Sequence, residues 1–216
     1  MKIRSKVSIL IIVLTAIMLI ASCSRAKPEI LFGFVKLVLY EDYPYPTEHL
    51  SFFVLVDDED GLENLDTLYI FHDREQLRWR IPNDEWIHHN DDGRNWIGTR
   101  SIAVSEGMIP TGVFRAVLVN KGGEYTERNF TFDGSVLFIF PEITVSGDSF
   151  IIDSGWPVNR LVGFDRNGNF LTTLELDSLS GNISQLRLSS AVMSVALWAE
   201  DENNFTSAFT NAVRIR

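Results

Sequence analysis

The chain has 216 residues, with 19 basic against 29 acidic side chains for a formal charge of −10, and 12% of it is aromatic. A surface this acidic repels phosphate backbones, which argues against nucleic acid as a partner, and the aromatic content argues against a disordered chain. A single cysteine, Cys23, rules out an intrachain disulfide, so the folded part must be held by burial.

Lys2, Arg4 and Lys6 open the chain, and Val7 to Ala21 follow as an apolar run broken only by Ser8 and Thr15. That run is shorter than the about 20 residues a membrane-spanning helix needs. Its order of basic, apolar and small residues predicts an exported signal peptide over 1–22. The last four residues, Ile20-Ala21-Ser22-Cys23, resemble the lipobox of bacterial lipoproteins. The resemblance implies that the Cys23 thiol takes a diacylglyceryl group, that the chain is cut before Cys23, and that the new amine is acylated. Ser24, where Asp would imply retention at the inner membrane, implies an outer-membrane address on either the surface or the periplasmic face. Buried acyl methylenes contribute about 0.8 kcal/mol each, so three chains would form a firm anchor. Cleavage would remove three basic residues and no acidic one, leaving the mature chain more acidic still.

After a lipidated cysteine and tether over 23–29, the pattern is of strands. ILFGFVKLVLY (30–40), LSFFVLV (50–56), TLYIF (67–71) and GVFRAVLVN (112–120) are rich in β-branched and aromatic residues, many of them alternating, between turn signals. EYTERNFTF (124–132) follows Gly122-Gly123, so 113–132 is predicted as a hairpin with a two-residue turn. GLENLDTL, with Leu62, Leu65 and Leu68 three apart, is the one helical hint and is short enough to be a single turn. Asp133-Gly134 marks a break, and a second run of short strands continues to the end, with Asn167-Gly168 as another hairpin signal.

The two runs share a pattern. LYIFHDREQLRW (68–79) parallels LVGFDRNGNFLTT (161–173), and 114–132 parallels 194–212 as strand, polar turn, strand. The expected fold is all-β: tandem antiparallel β-sandwich modules at 30–134 and 135–216, the second smaller, with one large sandwich as the alternative. The pattern resembles immunoglobulin-like and fibronectin type III-like modules, whose last two strands form such a hairpin. The Cys…Trp…Cys signature of antibody domains is missing.

Two stretches invite chemistry. VDDEDGLEN (56–64) gathers carboxylates, and Asp57, Asp58 and Asp60 are the candidate calcium ligands, because hard cations take several carboxylate oxygens. An EF-hand is excluded: with Gly61 at the sixth position, Val56 and Thr67 would stand where Asp and Glu are required. DEWIHHNDDGRNWIG (84–98) predicts a type I′ hairpin at Asp92-Gly93 with Trp86 and Trp96 on its arms. With His88 and His89, these are the candidate binding residues, although any of Trp79, Trp86 and Trp96 is also a candidate core tryptophan. His88 and His89 are adjacent and point to opposite faces of a strand, which disfavours a shared metal. SGDSF (146–150) resembles the nucleophile block of GDSL-type hydrolases, but no histidine follows residue 89 to serve Ser149 as base.

No complete catalytic set and no cofactor motif is present. The expected function is a non-enzymatic binding or interaction protein, held to the membrane by lipid, whose partner is another envelope protein, a peptide or a glycan. The alternatives are a structural or assembly accessory on the periplasmic side of the outer membrane, and a metal-dependent hydrolase using His88, His89, Asp91 and Asp92.

Overall fold

The computed structural model describes residues 26–105, 107–134 and 139–215. The predicted signal peptide and Cys23 lie outside them. Sixteen strands occupy most of the rest. The first half of the chain supplies β1 (Glu29–Tyr40), β2 (Thr47–Asp57), β3 (Leu65–His72), β4 (Leu77–Pro82), β5 (Ile87–Asp91), β6 (Arg94–Ile102), β7 (Gly112–Asn120) and β8 (Tyr125–Phe132). The second supplies β9 (Glu142–Ser146), β10 (Ser149–Asp153), β11 (Val158–Phe164), β12 (Phe170–Glu175), β13 (Ser180–Asn182), β14 (Ser194–Asp201), β15 (Thr206–Phe209) and β16 (Val213–Arg214). The helical hint is a 3₁₀ turn at Leu62–Asn64, and a second such turn spans Ile183–Leu186. Among the described residues no helix is long and apolar enough to cross a membrane.

The chain is almost entirely strand and its sheets pack as a sandwich. The strands form because period-two alternation gives each a face to bury. In β1, Val35, Leu37 and Leu39 turn inward while Phe34, Lys36, Val38 and Tyr40 turn outward. A four-stranded sheet, β4-β3-β7-β8, covers β1, β2 and β6 over a core that includes Phe52, Val54, Leu68, Ile70, Phe114 and Leu118. A three-stranded sheet, β13-β10-β9, covers β11 and β14 over a smaller core of Phe150, Ile152, Leu161, Ile183, Val192, Val195 and Leu197.

The repeat read from the sequence is a repeat of connectivity. The order β4-β3-β7-β8 in the first half matches β12-β11-β14-β15 in the second, and β1-β2-β6 matches β9-β10-β13. The first half adds β5 beyond β6. The turns differ from expectation in two of three places. Asp92-Gly93 is a two-residue turn with both φ positive, at 51° and 77°. The other hairpins close through longer loops organised by a side chain: Asn120 Oδ1 accepts the Gly122 and Glu124 amides, and Asp165 Oδ1 accepts those of Asn167 and Asn169.

Contrary to the expected antiparallel sandwiches, the sheets are not antiparallel throughout, because the halves are zipped together. β15 pairs with β1 in parallel, Leu37 opposite Thr206 through Tyr40 opposite Phe209. A nine-stranded mixed sheet results, running β12-β11-β14-β15-β1-β2-β6-β5, with β16 on β14. A bulge between Ile30 and Phe32 accompanies the lean of the start of β1 toward β8, whose Arg128 donates to the Ile30 and Leu31 carbonyls. The later part of β1 then offers its edge to β15. Trp156, from the β10–β11 connection, inserts into the larger core together with Ala199 and Ala208, so that core draws on both halves.

Candidate functional site

The exposed face of the nine-stranded sheet, opposite the four-stranded sheet, carries more apolar surface than solvent requires. Its strand registers set two rows side by side: Phe32, Leu55, Trp96 and His89, then Phe34, Phe53, Gly98 and Ile87. Phe32 is 56% exposed, Phe34 37% and Ile87 40%. Phe34 stacks on Phe53 at 5.5 Å and 17°, while Trp96 meets Phe34 at 52° and Phe32 at 89°. The exposed rings thus form a ridged apolar patch rather than a coplanar platform. Gly98 keeps it low, since a Cβ there would stand 2.8 Å from the Phe53 ring.

The structure separates the residues that the sequence proposed together. Trp96 lies on this face. Trp86 precedes β5, its amide donating to the Pro82 carbonyl at 3.2 Å, and its side chain packs against the larger core. His88 and His89 are exposed on opposite faces of β5; His89 sits opposite Trp96, and the His88 ring Nε2 is 3.2 Å from Asn95 Oδ1. Of the tryptophans, the buried one is Trp156, while Trp79 and Trp86 are half-buried against the same core.

The acidic loop spends carboxylates on hydrogen bonds within itself and to the start of the described chain. Asp58 accepts the Asp60 amide at 2.8 Å and the Asn64 side-chain amide, and Asp60 accepts the Ala26 amide at 3.1 Å. Asp57 ends β2 opposite Glu29. Among the described residues no three His, Cys, Asp or Glu side chains converge as a metal site. Gly147-Asp148 forms the β9–β10 turn, and Asp148 accepts both the amide and the hydroxyl of Ser184, which hold its carboxyl below the usual range.

Two features of the structure lie outside the residues proposed from the sequence. At the seam, Glu200 joins Lys36 and Arg160, and both cations lie over the Trp198 ring. Burial pushes the Lys36 ammonium down, with Glu202 pulling it back up and Arg160 adding to the fall. Each charge has a partner, so the cluster reads as a clamp between β1 and β14. Phe32 and Phe34 were detectable in principle: ILFGFVKLVLY places large apolar residues on both faces of one strand, more than a single core uses.

No family model matches the chain, and no curated protein matches it. Several solved structures do. Dimeric latent PorU from Porphyromonas gingivalis is 14% identical over 91% of this chain and 20% of its own, with a TM-score of 0.36. Tp47, the 47-kilodalton lipoprotein of Treponema pallidum, is 11% identical over 88% of this chain and 50% of its own, with a TM-score of 0.40. The BSP domain of a biofilm associated protein is 14% identical over 85% of this chain and 29% of its own, with a TM-score of 0.29. This chain spans half or less of the length of each. These likenesses are distant, at the level of an all-β, sandwich-like architecture.

Proposed function

We propose that this protein is a non-catalytic interaction module of the bacterial envelope, tethered to the outer membrane by acylated Cys23, whose apolar outer face binds another envelope protein. The observation that carries the reading is the patch of exposed Phe32, Phe34 and Ile87 around half-buried Trp96, on a sheet face with no covering layer among the described residues. A contiguous exposed apolar patch with polar neighbours marks an interaction surface. The tilted rings favour a protein over a glycan, because stacking sugars needs flat, parallel platforms with hydrogen-bonding groups beside them. Tandem immunoglobulin-like or fibronectin-like modules suit such a role.

Photo-crosslinking residues placed in cells at Phe32 and Trp96 test the face, with Tyr45 and Ile151 as exposed controls elsewhere. The expected result is one shared adduct from the two face positions, absent from the controls and reduced several-fold by Phe34→Ser with the melting temperature retained. Equal adducts at all four positions, or none at the face, would overturn it. The tether is checked by the mass of the N-terminal peptide: a full-length chain with unmodified Cys23 removes the anchor from this reading.

A further inference from the structure

The repeat provides an internal comparison. In the first half, one inward row across the four-stranded sheet reads Trp79, Ile70, Ala116. The Trp79 ring stacks on Phe114 at 6.2 Å and 30°, and its indole N–H donates to the Ala103 carbonyl at 2.8 Å. Ala103 begins the segment that follows β6, so this indole closes the open side of the sandwich between edge strand β4 and that segment. The sequence parallel that sets Leu68 against Leu161 places the row Thr172, Gly163, Val195 at the same position in the second half. An indole and an isoleucine are thereby replaced by threonine and glycine. Val192, in the segment that follows β13, moves onto Gly163, its methyl carbons 3.1 and 3.3 Å from where a Cβ would stand.

Beside Val192 and Thr172 lies a cleft of about 280 Å³, walled also by Leu171, Leu174, Leu186 and Leu188. That is just under the about 300–1,000 Å³ of small-molecule sites, so it suits one large side chain. Its one charged lining residue is Arg187, which is exposed and makes no ion pair among the described residues. β12, which forms one wall, is a terminal strand of the nine-stranded sheet and, among the described residues, pairs only with β11.

We propose that this cleft binds an extended peptide, which adds a strand to the free edge of β12 and inserts an aromatic side chain where the first half places its own Trp79, with a carboxylate two residues away on the same face of the peptide. Main-chain hydrogen bonds along an exposed edge supply affinity, and the pocket under the edge supplies specificity. The aromatic ring meets leucine walls, and the carboxylate meets Arg187 at the mouth, in a chain whose net charge otherwise repels acids. This site is on the second half and stands or falls independently of the patch around Trp96.

The test uses the full chain in nanodiscs and two dye-labelled acetylated pentapeptides, Thr-Trp-Thr-Glu-Thr and its counterpart with Ala for Trp, in which Trp and Glu are two apart and so share a strand face. The tryptophan peptide is expected to bind at least about tenfold more tightly than the alanine peptide and to slow hydrogen exchange over 170–175. Thr172→Trp should fill the cleft from within, abolishing binding while raising the melting temperature. Arg187→Glu, on the exposed mouth, should weaken binding several-fold with the melting temperature unchanged. Equal affinity for the two peptides, no exchange protection at millimolar peptide, or undiminished binding by Thr172→Trp would each overturn the proposal. If Thr172→Trp does not fold, unchanged affinity in Arg187→Glu does so.

Discussion

Trp156 tests whether the two halves are one cooperative unit. It sits in the connection between β10 and β11, in the second half, yet it is 3% exposed and belongs to the core built mostly by the first. Its indole N–H donates to the Ile139 carbonyl at 2.9 Å. Trp156→Ala removes the whole ring from a packed site, and buried aromatic truncations cost about 3–5 kcal/mol. The freed Ile139 carbonyl adds little, because Ile139 is largely exposed and water replaces the donor. For a chain of this length each kcal/mol shifts the melting temperature by about 2–4 °C, so the fall should be roughly 6–20 °C. Trp156→Phe keeps most of the packing and loses the hydrogen bond, for a cost of about 1–2 kcal/mol. Scanning calorimetry should show a single endotherm that moves as a whole in both variants, in that order. A loss under about 1 kcal/mol for Trp156→Ala, or an endotherm that splits so that only one part moves, would refute the idea that this ring couples the halves.

Gly98→Ala should destabilise by about 1–3 kcal/mol on chemical denaturation, because strands β2 and β6 must part to admit the methyl group. A Cβ there would lie 2.1 Å from the Phe52 carbonyl oxygen and 2.7 Å from Phe53 Cα, and an unchanged midpoint would contradict that geometry. Glu200→Gln should cost more than Lys36→Met in the same assay: the first leaves Lys36 and Arg160 facing each other across the seam, while the second leaves Glu200 on Arg160. The reverse order would show that the clamp does not depend on the buried carboxylate. Asp148 predicts an acid response. Its folded-state carboxyl lies below the ordinary 3.8, held there first by the Ser184 hydroxyl and then by the Ser184 amide. The stabilisation is therefore complete above 3.8 and is lost as pH falls through the lower folded value. Asp148→Asn should flatten the acid limb of a stability–pH profile, and identical limbs in the two proteins would refute the assignment.

What could be read from the sequence was what periodicity and turn chemistry encode. The strands followed from alternation, the Asp92-Gly93 turn from two residues that tolerate positive φ, and the repeat from matched hairpins. The unreadable parts depend on distant pairings. Nothing in TSAF (206–209) announces that it will lie parallel to KLVLY (36–40), since an edge-to-edge seam leaves no periodic trace in either strand. Trp156 follows a Ser-Gly pair and precedes a proline, which reads as loop; only the fold turns that loop over the larger core. His72 shows the same limit. It is fully buried, with its Nε2 3.1 Å from the Thr111 carbonyl and its Nδ1 accepting the Glu75 amide, a tertiary setting that one histidine in an alternating strand does not disclose. Trp86 stands one residue before β5, which starts at Ile87, so strand alternation does not fix its face and the fold turns it inward.

The seam also bears on where a partner can add. Each half alone would leave an open edge at β1 or β15, and unpaired strand edges are templates for association. Parallel pairing of β1 with β15 consumes both and leaves the long sheet with two ends. At one end β5 is blunted: it is short and exposed on both faces, and its turn is pinned by the Arg94–Asp91 pair and by the Asn90–Asn95 bond. At the other end β12 exposes Phe170 and Leu171, and its one charge, Glu175, is tied to Arg160. The fold thus guards one end of the sheet and leaves the other apolar and open beside a cleft. Selection for solubility alone would blunt β12 as it has blunted β5, whereas a strand-adding partner requires the edge as it stands.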